Sequence, residues 1–232
     1  PAPPPACTPP TPARRAEPGA VRVDFRMSHR DGRLLWVRSI NTMERVGDDQ
    51  LVCRGLLIDI TDQKNSEAHI VYLAEHDALT GLFNRRRFQE ELERALDYAE
   101  RFDQQGALIF IDLDQFKRIN DKHGHLEGDQ MLQSVADALR RSTREVDVAG
   151  RYGGDEFVIV LPDTNQEEGR VAGNRFVTAI REVGMKFDPV NAVTASAGLS
   201  IARPGDTVEV VLKRADDFAY SAKDKGGNRL CG

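Results

Sequence analysis

The chain has 232 residues, enough for one medium domain and a smaller piece, or for two small domains. Hydrophobic residues make up 40% and charged residues 30%, a globular balance that excludes wholesale disorder. Lys and Arg number 32 against 37 Asp and Glu, and the net charge of −5 argues against gripping a long polyphosphate strand, while one nucleotide with a cation stays open.

Eight of the eleven prolines fall in the first eighteen residues, PAPPPACTPPTPARRAEP, so residues 1–19 are expected to be an extended or disordered tail. The chain opens with neither an initiator Met nor a signal-peptide pattern, as expected of a fragment. Val21, Val23, Phe25 and Met27 then alternate with Arg22, Asp24 and Arg26, the period of a half-buried strand, and Asp31-Gly32 marks a hairpin. Runs at 34–40 and 51–60, separated by Gly47-Asp48-Asp49, complete an antiparallel meander. Residues 63–78 read as a helix with Ala68, Val71, Ala74 and Ala78 on one stripe. Beyond it helices are expected at 84–103, 127–144, 165–183 and 207–225, and strands at 107–113, 157–161 and 193–201. That alternation predicts one α+β or α/β domain of roughly 160 residues. The longest apolar runs, 107–111 and 157–161, are five residues each, far short of the about 20 a membrane-crossing helix needs. Cys7, Cys53 and Cys231 are too dispersed for a disulfide framework or a zinc spacing, which suits a reducing compartment.

Two acidic clusters stand out. Gly153-Gly154 permits a tight turn before Asp155-Glu156, although such a string taken alone is more often a plain hairpin turn. Asp112 leaves an unbroken apolar run, followed by Leu113, Asp114, Phe116 and Lys117. A carboxylate at a buried strand exit is costly unless paired, hydrogen-bonded or metal-bound. On neighbouring strands the two clusters would form an oxygen-rich pocket of the kind Mg2+ takes. Read singly, Asp112 is a strand-end cap and Lys117 a solvated lysine.

Neither cluster is isolated. Asp77-Ala78-Leu79-Thr80-Gly81-Leu82-Phe83-Asn84-Arg85-Arg86 comes first, and Asn120-Asp121, Gly124-His125 and Gly128-Asp129 follow Lys117. Arg151-Tyr152 leads into Gly153, and Tyr220-Ser221-Ala222-Lys223 with Gly226-Gly227-Asn228-Arg229 closes the series. In this order and spacing the set resembles the GGDEF domain of diguanylate cyclases, over about residues 75–230. Residues 20–63, with DGRLLWVR and GLLIDITDQK, resemble the C-terminal half of a PAS sensor domain, as either a packing and dimerising remnant or a working sensor. The expected organisation is a tail at 1–19, a partial PAS meander at 20–63, a linker helix at 64–78 and a GGDEF domain at 79–232.

The resemblance implies an α+β, ferredoxin-like palm with a central, mainly antiparallel sheet. It implies condensation of two GTP into cyclic di-GMP with release of two pyrophosphates. Asp112, Asp155 and the backbone carbonyl of Leu113 would ligate Mg2+ or Mn2+. Glu156 is either a further ligand or a structural acid, and Asp155 or Glu156 takes the hydroxyl proton. Asn120 and Asp129 match the guanine-reading pair, with the plainer roles of ending a short helix and occupying a helix first turn still open. His125 lies near the base or merely packs, while Phe116, Lys117 and Lys223 join the nucleotide site, both lysines on the triphosphate with backbone N–H groups around Asp114 to Lys117 as a cradle. His29, His69, His76 and His123 read as surface or packing residues. An arginine common two residues before the last arginine of the final motif is Gly227 here, so weaker GTP binding with intact chemistry is expected.

Arg144-Glu145-Val146-Asp147 matches the family's RxxD inhibitory site for cyclic di-GMP, with Arg175 in support; the alternative is an i,i+3 salt bridge at a helix end. One set of GTP ligands per chain implies a homodimer, with no nucleic-acid partner and no membrane contact evident. The expected location is the cytoplasm, as a free protein or as part of a longer membrane-anchored sensor. A catalytically silent GGDEF module acting as a cyclic di-GMP or GTP receptor is the alternative function.

Overall fold

A computed structural model describes residues 20–46 and 50–232; the Pro-rich tail and the break at Gly47-Asp48-Asp49 lie outside the described residues. The chain divides between Val71 and Tyr72 into two compact units. In the first, β1 (Ala20–Ser28), β2 (Leu34–Val46) and β3 (Gln50–Asp59) form the expected antiparallel sheet, with Phe25 opposite Val37 and Val37 opposite Asp59. Arg38 crosses to Asp24 through two hydrogen bonds of 2.7 and 2.8 Å. The helix after it, α1 (Thr61–Glu75), starts and ends earlier than the expected 63–78. Asp59 Oδ1 accepts the Thr61 N–H at 2.9 Å and so fixes the start. At the other end Asp77 turns its N–H to the Leu82 carbonyl at 2.8 Å and leaves the helix.

The second unit is built on a five-stranded sheet in the order β5 (Val148–Gly153), β6 (Glu156–Pro162), β4 (Gly106–Asp114), β7 (Thr194–Ile201), β8 (Arg229–Cys231). Only β7 and β8 run parallel, so the mainly antiparallel central sheet expected from the sequence is present. Its helices are α2 (Arg85–Phe102), α3 (Phe116–His123), α4 (His125–Ser142), α5 (Gln166–Phe187) and α6 (Val208–Asp224). Ala107, Ile109, Ile111 and Leu113 of β4 pack with Met131, Val135, Leu139, Phe176 and Ile180 from α4 and α5. Leu108 and Phe110 pack with Phe88, Leu92, Val211 and Ala215 from α2 and α6. A strand buried on both faces explains the unbroken apolar run, and its alternation sends Asp112 and Asp114 to the α2/α6 side.

Three elements went unread as such: β5, whose glycines and Arg151-Tyr152 break the apolar pattern, the three-residue β8, and α3, suspected only as a short helix around Asn120. Helix α5 also runs past 183 to Phe187, because Gly184 lets its last turn lie against the backbone of Val193. No helix among the described residues is long and apolar enough to cross a membrane.

Candidate active site

The site forms where β4 ends. Asp112 pairs with Glu156 on β6 and with Ser196 on β7, so both acids project from neighbouring strands toward the same face. The turn before β6 brings Asp155 alongside: its carbonyl accepts the Leu113 N–H at 3.2 Å. From α6, Lys223 Nζ reaches within 2.7 Å of the buried Asp112 Oδ1 and pairs with it. Burial pushes the Asp112 carboxyl above its ordinary range, and the charges of Asp155 and Asp114 add to the shift against the pull of Lys223. Burial likewise raises Glu156, reinforced by Asp112, Asp216 and Asp155. At Lys223 burial works the other way, but Asp112, with Asp155 and Asp114, outweighs it and raises the ammonium.

Asp114 serves the frame. Its carboxylate accepts from Thr194 Oγ1 at 2.6 Å, Ser196 Oγ at 2.7 Å and the Asn228 N–H at 2.9 Å, tying β4 to β7 and to the loop before β8. Gly227 belongs to that knot: its φ is +71°, and a Cβ there would lie 2.7 Å from Asp114 Oδ2. An arginine at 227 would not fit this backbone, which gives the sequence departure a steric reason.

The Gly153-Gly154 turn is held from outside by Arg151. Its Nε and Nη2 donate to the Gly154 carbonyl at 2.9 and 2.7 Å, and its Nη1 donates to Asp77 Oδ1 at 3.0 Å. Burial opposes ionisation of Asp77, but the Thr80 hydroxyl and N–H, with Arg151, hold its carboxyl below the usual carboxylate range.

Past Asp114 the chain turns once, at Gln115 with φ 58°, and enters α3. Lys117 is exposed in the first turn, where backbone N–H groups without helical partners point outward. Phe116 turns inward. Its ring is 9% exposed and packs in the core, which leaves only its N–H for a ligand. Asn120, half-buried, lies against Gly128 of α4, next in sequence to the exposed Asp129. His125 is exposed at the start of α4.

A cation fits this acid set. Asp112 offers a buried oxygen whose partner is the Lys223 ammonium, a cation that another cation could replace, and burial and neighbouring acids raise both Asp112 and Glu156. Among the described residues no three His, Cys, Asp or Glu side chains converge to hold a metal alone. Mg2+ does not require that, since it completes its shell with phosphate oxygens and water.

The family model described as diguanylate cyclase, GGDEF domain, matches residues 74–229. The chain belongs to the GGDEF family. Diguanylate cyclase DgcM of Escherichia coli is 35% identical over 188 residues, covering 81% of this chain and 45% of that protein. The cyclic di-GMP phosphodiesterase PdeR of the same species is 31% identical over 183 residues, covering 78% and 27%. The chain thus spans less than half the length of these curated relatives. Among solved structures, the coiled coil and GGDEF domain of DgcB from Caulobacter crescentus, in complex with c-di-GMP, superposes with a TM-score of 0.64 at 30% identity, covering 74% of this chain and 92% of that one.

Elsewhere in the GGDEF domain, the Arg144–Asp147 turn is not the side-chain salt bridge weighed from the sequence. Asp147 Oδ2 accepts the Arg144 backbone N–H at 2.7 Å, Asp147 Oδ1 is buried without a partner, and the Arg144 guanidinium is exposed. Arg175 on α5 shares a shallow depression with Ser142, at the end of α4. A cavity of about 290 Å3 lined by Leu92, Ala95, Leu108, Val146 and Val160 lies toward the Gly106 end of β4, away from the acids, and contributes nothing to them. Sequence reasoning quoted Asp77, Asp114 and Arg151 only as parts of motifs. Their long-range partners lie 74 to 114 residues away along the chain, and no spacing signals such pairs.

Proposed function

We propose that this chain is a diguanylate cyclase that condenses two GTP into cyclic di-GMP and releases two pyrophosphates. The observation that carries the reading is the pairing of Asp112 and Glu156 across β4 and β6, beside Asp155, with the buried Asp112 oxygen met by the Lys223 ammonium. Asp112, Asp155 and the Leu113 carbonyl would hold Mg2+ or Mn2+, with Glu156 as a further ligand or as the acid that orients them. A cation held there would supply charge neutralisation for the α-phosphate and the leaving pyrophosphate. Lys223, drawn to Asp112 in the nucleotide-free protein, turns to the triphosphate, joined by Lys117 and the first N–H groups of α3. Asp155 or Glu156, both beside the reacting centre, accepts the 3′-hydroxyl proton. Asn120 and Asp129 read guanine, with His125 near the base. A carboxylate accepting from guanine N1–H and its amine has no partner in adenine, so ATP is rejected by about 10⁴-fold.

One nucleotide site per chain makes the working unit a homodimer, each half offering its 3′-hydroxyl to the other's α-phosphate. Arg144, with its exposed guanidinium, and Asp147, with an oxygen unpartnered among the described residues, suit product cyclic di-GMP, supported by Arg175. Residues 20–63 act as a partial PAS element upstream, and the protein works in the cytoplasm. A receptor for GTP or cyclic di-GMP is the second reading, favoured by the Lys223–Asp112 pair, which occupies one of the metal ligands. Incubation with GTP and Mg2+ followed by chromatography decides between them: cyclic di-GMP is expected, and none from Asp155→Asn. Mn2+ binding followed by electron paramagnetic resonance should weaken in Asp112→Asn. Product from Asp155→Asn at the wild-type rate would overturn the assignment.

A further inference from the structure

The corner between α3 and α4 contains a residue that matters for the side chain it lacks. Gly128 is buried in the first turns of α4, a setting in which glycine is a poor helix former. A Cβ built on it would overlap Asn120 Oδ1, 3.0 Å from Asn120 Cγ and 3.3 Å from Phe116 Cζ. Phe116 packs in the core and would have to give by only a few tenths of an ångström. The Asn120 amide, by contrast, has no hydrogen-bond partner among the described residues, so packing against the bare α4 backbone is what fixes its orientation. The next residue along α4 is Asp129.

We propose that Gly128 is a positioning residue for guanine recognition: its missing side chain opens the slot in which the Asn120 amide rests beside Asp129, so that both present their polar ends to one base. The inference rests on the assignment of Asn120 and Asp129 to guanine made above. A methyl group at 128 displaces the flexible end of Asn120 rather than backbone or core, so the fold tolerates it while base recognition does not. The acids on β4 and β6 are untouched, so the loss falls on binding and not on the chemical step.

The test is Gly128→Ala in the full chain. We expect GTP affinity, measured by calorimetry with a non-hydrolysable GTP analogue and Mg2+, to weaken about tenfold, the scale of one lost hydrogen bond to the base. KM for GTP should rise by a similar factor with kcat within about twofold, and the melting temperature should hold or rise, since alanine favours the helix. A purely structural glycine would instead lower the melting temperature. The double variant Gly128→Ala/Asn120→Ala should bind no more weakly than Asn120→Ala alone, because the added methyl then meets no amide. Unchanged GTP affinity in Asn120→Ala would sink the guanine assignment itself. Weakened binding in Asn120→Ala with wild-type binding in Gly128→Ala would sink the positioning role alone.

Discussion

Replacing Arg151 by alanine probes how the Gly153-Gly154 turn is held. The guanidinium is 15% exposed and Asp77 25%, so water screens the contact only in part. Two of its N–H groups hold the Gly154 carbonyl and one holds Asp77. The Gly154 carbonyl sits on an exposed turn and can accept water instead, so its loss costs little. Asp77 keeps both Thr80 donors but loses its cation. One charge-assisted bond contributes about 1.5–3 kcal/mol, and breaking a fully buried pair costs about 3–5 kcal/mol, so a cost of about 2–3 kcal/mol is expected here. In a unit of this size each kcal/mol moves Tm by about 2–4 °C, which gives a fall of about 4–12 °C in a thermal melt without nucleotide. Release of the Gly154 carbonyl frees the segment that carries Asp155, and a displacement near 1 Å lowers cyclic di-GMP formation by about 10²-fold. Lysine can reach Asp77 or Gly154 but not both, so Arg151→Lys should fall between. An Arg151→Ala protein that melts with the wild type and makes product at the same rate would refute the clamp.

Asp114→Ala removes the shared acceptor of Thr194, Ser196 and the Asn228 N–H and strands the fully buried Ser196 hydroxyl. A loss of about 2–4 kcal/mol in urea unfolding is expected, and a change under about 0.5 kcal/mol would contradict it. Gly227→Arg should not recover GTP affinity; it should lower Tm, because a side chain at positive φ drives into the Asp114 carboxylate. Tighter GTP binding with unchanged Tm would be the contrary result. Asp77 and Asp206 both sit below the ordinary carboxylate range: burial opposes this, but Thr80 and Arg151 prevail at the first, and Arg214 with the Arg203 N–H at the second. Their folded pKa lies below the unfolded one, so this stabilisation is complete above the unfolded value of about 4 and is lost as pH falls through the folded value. Unfolding free energy should therefore decline as the medium is acidified below about pH 5, less steeply in Asp77→Asn; equal slopes in the two proteins would count against it.

The two acidic clusters were legible because each carries its own local mark: Asp112 ends an apolar run, and Asp155-Glu156 follows two glycines. The apolar periods also placed the long helices and the buried strands, with boundaries off by a few residues where caps rather than hydrophobicity decide the end. Phe116 shows what a motif leaves out. A motif string says that a residue stands near the site, but only the helical period of α3, with Phe116 and Ile119 inward and Lys117 outward, says which way it faces. The Asp114 knot and the Arg151 clamp could not be read at all, since each depends on chain segments far apart in sequence meeting in space. Strand β5 was hidden by its composition: it pairs with β6 through backbone bonds, and a register shift between Arg151 and Gly153 absorbs the irregular residues.

Strand β4 is clasped on both flanks, by β6 and β7, and passes into α3 after a single left-handed residue. Asp112, the proposed phosphate cradle and the proposed base reader are therefore strung on one stiff stretch from Asp112 to Asn120, like marks on a ruler. Sliding the strand by one position would swing Asp112 to the opposite side of the sheet and break two ladders together. The spacing between where a triphosphate would be gripped and where its purine would be read is consequently an inherited property of the sheet, insulated from loop motion, and warming should loosen the periphery long before it alters that gauge.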